Sequence, residues 1–385
     1  MRQVPFNRAY ATGVELEYIA DAIRSTHLSG NGPFTKRCAE WLEQRVGVPR
    51  ALMKHSCTGA LEMAAVLVGI GPGDEVIMPS FTFVSTANAV VAHGGIPVFV
   101  DVREDTLNLD ESKVEAAITR RTRAIIAVHY AGVACELDAL HEIARANGLA
   151  LIEDAAQAVL ATYHGRELGG IGDVGALSFH ETKSVMCGEG GALLVNHADW
   201  VDRAEVIHEK GTDRRRFLQG QVDKYTWQEF GSSYPMSDLT AAFLWAQLEA
   251  AEDITQRRMA IWGTYHEGLA DLEARECLRR PFVPAHCVHN AHMYYVVLPE
   301  GRNRDELIRD LNERGVNAVF HYVPLHSAPA AERYARAPGN LEVTDRVSAR
   351  LVRLPLWAGM EPADVDHVLH TLEHVLSRVP ARSTW

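Results

Sequence analysis

Asp154 and Lys183 stand in one stretch of this chain and together suggest a specific chemistry. A lysine amine condenses with an aldehyde to form a Schiff base and, once displaced, moves protons as a general acid and base. Pyridoxal phosphate (PLP) uses a lysine in this way. It also wants an anion facing its pyridine nitrogen, because the protonated ring is what withdraws electrons. Asp154 follows the apolar run Leu149–Glu153 and precedes Ala155-Ala156-Gln157. Ligands of open α/β sheets collect at the carboxyl ends of strands, where such an aspartate would lie. An aspartate there also serves as an ordinary helix cap. Lys183 closes Ser178-Phe179-His180-Glu181-Thr182-Lys183 and runs into Gly188-Glu189-Gly190-Gly191, which permits tight backbone geometry beside a ring. Alone, a lysine before glycines is a surface residue; with Asp154 upstream the pair is far more specific. Ser178 could donate its hydroxyl to the cofactor phosphate.

Two further segments fit the same ligand. His55-Ser56-Cys57-Thr58-Gly59-Ala60 opens a helix-like stretch, and a helix N-terminus with free N–H groups binds phosphate. Thr58 and Gly59 are the expected contacts, against the plainer reading of Ser56 or Thr58 as simple caps. Pro79-Ser80-Phe81-Thr82-Phe83 follows an apolar run, and an aromatic face is wanted to stack on the pyridine ring. Phe83 is preferred over Phe81, although a lone Phe is usually core.

These residues need a frame to hold them. Glu75–Met78, Pro97–Val102, Arg123–His129 and Leu149–Glu153 read as short strands rich in Val and Ile. Ala60–Val68, Ser85–His93, Asp110–Ile118 and Glu136–Asn147 read as helices between them. That alternation predicts an α/β fold with a mainly parallel sheet buried on both faces. Past Ser237, a plausible N-cap, one long helical stretch runs through Leu239–Ala251 toward Tyr265. Tyr294–Leu298 and Ala318–Val323 then read as strands, with Arg304–Arg314 and Pro362–Val379 as helices. The length of 385 residues favours two domains, divided near residue 250 into 1–250 and 251–385.

Composition narrows the class. An apolar fraction of 47% and a charged fraction of 23% are ordinary for a globular protein. A net charge of −12 argues against non-specific binding to nucleic acid or anionic membrane, so an anionic substrate must be met by local donors. The six cysteines, Cys38, Cys57, Cys135, Cys187, Cys277 and Cys287, form no CxxC pair, which suits reduced thiols better than disulfides or a metal site. No apolar run approaches bilayer length and the N-terminal stretch has no secretory apolar region, so a cytoplasmic protein is expected.

The segments SCTGALEMAA, PSFTFVSTANAV, VHYAGVACELDAL, IEDAAQA, SFHETK and GEGGALLVN, in this order, resemble the DegT/DnrJ/EryC1/StrS family of sugar aminotransferases. The resemblance covers nearly the whole chain. It implies the PLP-dependent fold type I, with a large PLP-binding domain and a smaller C-terminal α/β domain. It implies Lys183 as the Schiff-base lysine, Asp154 as the pyridine-nitrogen partner, Gln157 on the O3′ side of the ring and Phe83 on its face. Ser178, Thr58 and Gly59 would hold the phosphate. Members with His in the S-F-H-x-x-K motif tend to aminate C4, so His180 points to C4, and His326 of the PLH motif looks like part of the sugar pocket. GQVDKYTWQEFGSSYPMSDL, AAFLWAQLEAA, NAHMYY and AVFHYVPLH narrow the likeness. They imply L-glutamate as donor, a dTDP-4-keto-6-deoxyhexose as acceptor, and dTDP-4-amino-4,6-dideoxygalactose as product for cell-surface polysaccharide.

Many members are homodimers in which an Asn of an N-Y-R-M-S segment reaches the partner's PLP phosphate. Here Ser233-Tyr234-Pro235-Met236-Ser237 stands in its place, so Ser233 would have to supply that contact. Lys210, Arg214 and Lys224 are the expected cations for a nucleotide diphosphate, although each also suits a solvated surface. Three rival readings remain. A sugar dehydratase of the same fold would carry His where Lys183 stands. A nicotinamide oxidoreductase would want G-x-G-x-x-G after its first strand, and no strand–helix junction has it. A non-catalytic PLP-binding protein would not need Lys183, Asp154 and Ser178 together.

Overall fold

The computed structural model describes residues 2–377. Seven strands build the main sheet: β1 (Arg50–Lys54), β2 (Glu75–Pro79), β3 (Ile96–Val100), β4 (Thr122–Val128), β5 (Ala150–Asp154), β6 (Val174–Ser178) and β7 (Gly191–Val195). Their spatial order is β1-β7-β6-β5-β4-β2-β3. The pairs β3–β2, β2–β4, β4–β5 and β5–β6 are parallel, and β7 runs antiparallel to both of its neighbours. The mainly parallel α/β sheet expected from the strand–helix alternation is present.

Helices cover both faces because alternate strand residues are apolar in both directions. Ile77, Val98, Ile125 and Leu151 enter one core. They meet α1 (Glu15–Arg24), α2 (Pro33–Val46) and the helix Leu137–Asn147, called α5. Val76, Met78, Ile126 and Ile152 enter the other core, under α3 (Cys57–Leu67) and α4 (Val84–Val91). Ser56 caps α3, its hydroxyl accepting from the Gly59 N–H at 3.0 Å.

Ser237 does cap the next long helix, α6 (Asp238–Glu249), by accepting from the Thr240 N–H. The single stretch expected as far as Tyr265 is instead two helices, α6 and α7 (Ala251–Gly268), because the backbone leaves helical geometry at Ala250. A third core follows, built on the two-stranded pair β8 (Tyr294–Val297) and β9 (Leu351–Leu354). It packs with α7, α8 (Arg304–Glu313) and α9 (Pro362–Ser377). The last two residues of the expected closing helix, 378–379, lie outside the described residues. Val4, 1% exposed, belongs to this core and bridges to Val316, so the N-terminal segment is strapped to the C-terminal part.

Two other expectations fail. Ala318–Val323 is not a strand: only Val319 pairs, with Arg353, and the chain then turns through Tyr322 at φ 36° before Pro324. Asp110–Ile118 is a 3₁₀ turn, Glu111–Lys113, followed by one short helical turn, Val114–Ala117. No described helix is long and apolar enough to cross a membrane.

Candidate active site

The carboxyl ends of the parallel strands converge on one cavity of about 610 Å³. Thr58, Phe83, Asp154, Gln157, Ser178, His180 and Lys183 all line it. Each position follows from the sheet. Thr58 sits in the first turn of α3, just beyond β1, and Phe83 is the residue before α4, just beyond β2. Asp154 is the last residue of β5, and Ser178 the last of β6. Lys183 lies in the turn between β6 and β7.

The backbone conformation and close packing of that turn explain its glycines. Gly188 has φ +82°. A Cβ on Gly191 would come within 2.5 Å of the Cys57 amide nitrogen, so only glycine lets β7 pass behind the turn of Ser56 and Cys57.

Asp154 is held by two donors. The Thr86 hydroxyl donates to one oxygen at 2.8 Å and the Ala156 N–H to the other at 3.2 Å. Burial raises its pKa, against these two bonds and the pull of Lys183. Burial lowers the pKa of Lys183, offset by Cys57 and Asp154. A buried carboxyl and a buried amine thus line one cavity, each pushed toward its neutral form by burial.

Below Asp154 lies a fully satisfied pair. The Cys135 N–H donates to His129 Nδ1, so the ring proton is on Nε2 and is donated to Glu153 at 2.9 Å. Glu153 also accepts from the N–H groups of Gly169, Ile171 and Gly172. Burial would raise Glu153, but His129 and these N–H groups outweigh it and hold the carboxyl below its usual value.

Phe83 is 58% exposed, whereas Phe81 is 1% exposed in the core, which separates the two phenylalanines. Thr58 Oγ1 and Ser85 Oγ are 2.8 Å apart and join the N-termini of α3 and α4. The second N-terminus is not evident from the motifs, although Ser85, two residues after Phe83, is a visible signal. Gly59 does not line the cavity, and its N–H is engaged by the Ser56 cap.

Gln157 Oε1 accepts from the Ala131 N–H at 2.7 Å, which fixes the amide so that Nε2 donates to the Tyr322 hydroxyl at 3.0 Å. Tyr322 completes the wall facing Phe83, with ring centroids 6.5 Å apart. His180 borders the cavity, its Nδ1 2.9 Å from Thr182 Oγ1.

Five residues expected at the site lie elsewhere within the single chain. His326 points to Ser80 Oγ at 2.7 Å and to Asp345 at 3.2 Å, beside but not on the cavity wall. Ser233 is exposed and bridges to Glu209. Lys210 and Arg214 both lean on Glu209, Lys224 is exposed, and none of the three lines the cavity. Sequence reasoning also passed over Arg258, His292, Tyr322 and Arg353, which the C-terminal part contributes to the same wall.

The residues present fit PLP: a buried amine, a carboxylate held by two donors, an exposed aromatic face, and hydroxyls with two helix N-termini for a phosphate. Comparison with known proteins agrees. The DegT/DnrJ/EryC1/StrS aminotransferase family matches residues 11–373. The chain is 37% identical over 369 residues to GDP-perosamine synthase of Caulobacter vibrioides, covering 94% of this chain and 96% of that one. The structure of S. venezuelae DesV in complex with a ketimine intermediate is 32% identical, with TM-score 0.89 over 98% of this chain and 100% of that one. The PLP form of the putative sugar aminotransferase Spr1654 from Streptococcus pneumoniae is 25% identical, with TM-score 0.88 over 98% of this chain and 99% of that one. The chain belongs to the DegT/DnrJ/EryC1/StrS aminotransferase family and is a PLP-dependent sugar transaminase.

Proposed function

We propose that this enzyme transfers the amino group of L-glutamate to C4 of a nucleotide-linked 4-keto-6-deoxyhexose. The observation that carries the reading is Lys183 and Asp154 on one cavity with Thr58, Ser178, Phe83 and Gln157. PLP, when bound, supplies an aldehyde that takes up amines and a ring that withdraws electrons from the neighbouring carbon. The chain does the rest. Lys183, its amine biased toward the neutral form by burial, would take the proton from the donor Cα and pass it to the cofactor, and in the second half-reaction move a proton the other way, to C4 of the sugar. Asp154, fixed by Thr86 and Ala156, keeps a proton on the ring nitrogen. Phe83 orients the ring, Gln157 lies on its O3′ side, and Thr58 and Ser178 hold the phosphate. His180, on the border of the cavity, serves the sugar.

For the acceptor, the motifs shared within the family favour a dTDP-linked sugar and dTDP-4-amino-4,6-dideoxygalactose as product. The likeness to GDP-perosamine synthase favours a second reading, a GDP-linked sugar. Incubation with glutamate and each 4-keto-6-deoxy sugar nucleotide, with the product's C4 configuration read by NMR, decides between them. Lys183→Ala should abolish turnover, and borohydride reduction of the wild-type holoenzyme should label Lys183 alone. A label elsewhere, or full activity in the variant, removes the assignment. We also infer a cytoplasmic homodimer, with Ser233 turned to the partner's phosphate site, and a domain division at residue 250.

A further inference from the structure

Behind the C-terminal wall of the cavity lies a buried hydroxyl, that of Tyr130, in the turn after β4. Tyr130 is 1% exposed and does not line the cavity, whereas His321 does. Tyr130 Oη and His321 Nδ1 are 2.8 Å apart. Ala131 at φ 58° and Gly132 at φ 79° turn the chain back at this point. The Ala131 N–H fixes Gln157, whose amide in turn holds the Tyr322 hydroxyl. The His321 and Tyr322 rings stack with centroids 3.6 Å apart. One turn beside the main sheet thus holds two neighbouring rings of the C-terminal part.

The Tyr130–His321 bond has one consistent direction. Nδ1 is the only acceptor that the Tyr130 hydroxyl reaches among the described residues. Were Nδ1 to carry the ring proton and donate it, the tyrosine proton would be buried without an acceptor, at the cost of its desolvation. The hydroxyl therefore donates, Nδ1 accepts, and the proton of a neutral ring sits on Nε2. Burial, followed by the positive charges of Arg353 and Lys183, lowers the pKa of His321, which favours the neutral ring. Nε2 meets no acceptor among the described residues, although the ring is only 8% exposed and borders the cavity. An N–H in that position is satisfied when an oxygen of a bound molecule faces it.

We propose that Tyr130 is a positioning residue: its hydroxyl fixes His321 as the tautomer that presents Nε2–H to an oxygen of the substrate in the cavity. This rests on the transaminase reading above. The arrangement suits that reaction. A ring with a bare Nε2 would be a second base on the cavity of Lys183 and would compete for the proton that Lys183 moves. A ring locked as a donor holds an oxygen in place and takes no part in proton transfer. Phenylalanine at position 130 would keep the packing against Phe81 and Tyr295, whose ring centroids lie 5.2 and 5.7 Å away, and would remove only the hydroxyl.

Two measurements on the holoenzyme test this. The first is nitrogen NMR of protein labelled with nitrogen-15 histidine. His321→Phe, which keeps a ring on Tyr322 but has no nitrogen, identifies the His321 signals by their loss. Wild type should show Nε2 protonated and Nδ1 bare, and Tyr130→Phe should show the two tautomers mixed. The second is activity. Tyr130→Phe should lower kcat/KM about 3- to 10-fold, the range of one neutral hydrogen bond. In the His321→Phe background the same change should alter kcat/KM less than about twofold, because Tyr130 then has no imidazole to orient. Three results overturn the proposal: a protonated Nδ1 in wild type, an unchanged tautomer in Tyr130→Phe, or losses that multiply in the double variant. If wild type does not transaminate, the transaminase reading falls and takes this one with it. If wild type transaminates and any of the three results appears, only the role of Tyr130 is removed.

Discussion

Asp154 owes its orientation to Thr86, a residue on α4, and its surroundings to the Glu153–His129 pair one residue back along β5. Removing the charge should cost more than loosening its support. Asp154→Ala should slow the glutamate half-reaction by about 100-fold or more, as loss of a preorganised charge does elsewhere. Thr86→Val should slow it only about 3- to 10-fold, followed by cofactor absorbance. Glu153 makes a different prediction, one about stability. Its folded pKa is depressed, so its contribution is present above the unfolded carboxylate value of roughly 4.3 and is lost as pH falls through the folded value. Glu153→Gln should therefore unfold several degrees below wild type at pH 7. That gap should close in acid, where both side chains are neutral. A gap that persists unchanged at pH 3 would count against the charged network.

The elements most legible in the sequence were those whose surroundings demand one residue type. Strands β2 to β5 are buried on both faces and therefore read as Val and Ile runs, found within a few residues of their bounds. Strands β1, β6 and β7 escaped because RALMK, VGALS and GALLV are written largely in Ala, Gly, Leu and Met, residue types that do not mark a strand. The break between α6 and α7 falls at Ala250 in an Ala-rich run, with no Gly or Pro to mark it. At the site, the residues of the first 183 positions came with motifs that suggest a role, whereas Tyr322, although inside AVFHYVPLH, and Arg353 have roles that depend on tertiary contact. The paired helix N-termini yield a prediction at this scale. Ser85→Ala should weaken PLP binding about 3- to 10-fold, and Ser85→Asp far more, since a carboxylate there opposes the phosphate. Equilibrium dialysis of the cofactor reads both.

Across the molecule, the segment that carries Ser233 also exposes Trp227 at 81%, Leu218 at 70% and Phe230 at 59%. Apolar surface of that kind on one segment suits burial against a second copy. Light scattering should give twice the chain mass of 42.5 kDa, and Trp227→Glu with Phe230→Glu should shift the protein toward monomer. If the double variant stays dimeric, that segment is not the contact.

The strap at the N-terminus bears on how the protein can be shortened. The family match begins at residue 11, and a fragment trimmed to 11–373 would keep every strand and every motif. It would nevertheless lose Val4, which plugs the C-terminal core, and Phe6, the platform beneath Arg353. Such a fragment should still turn yellow with cofactor yet unfold at a lower temperature than the full chain.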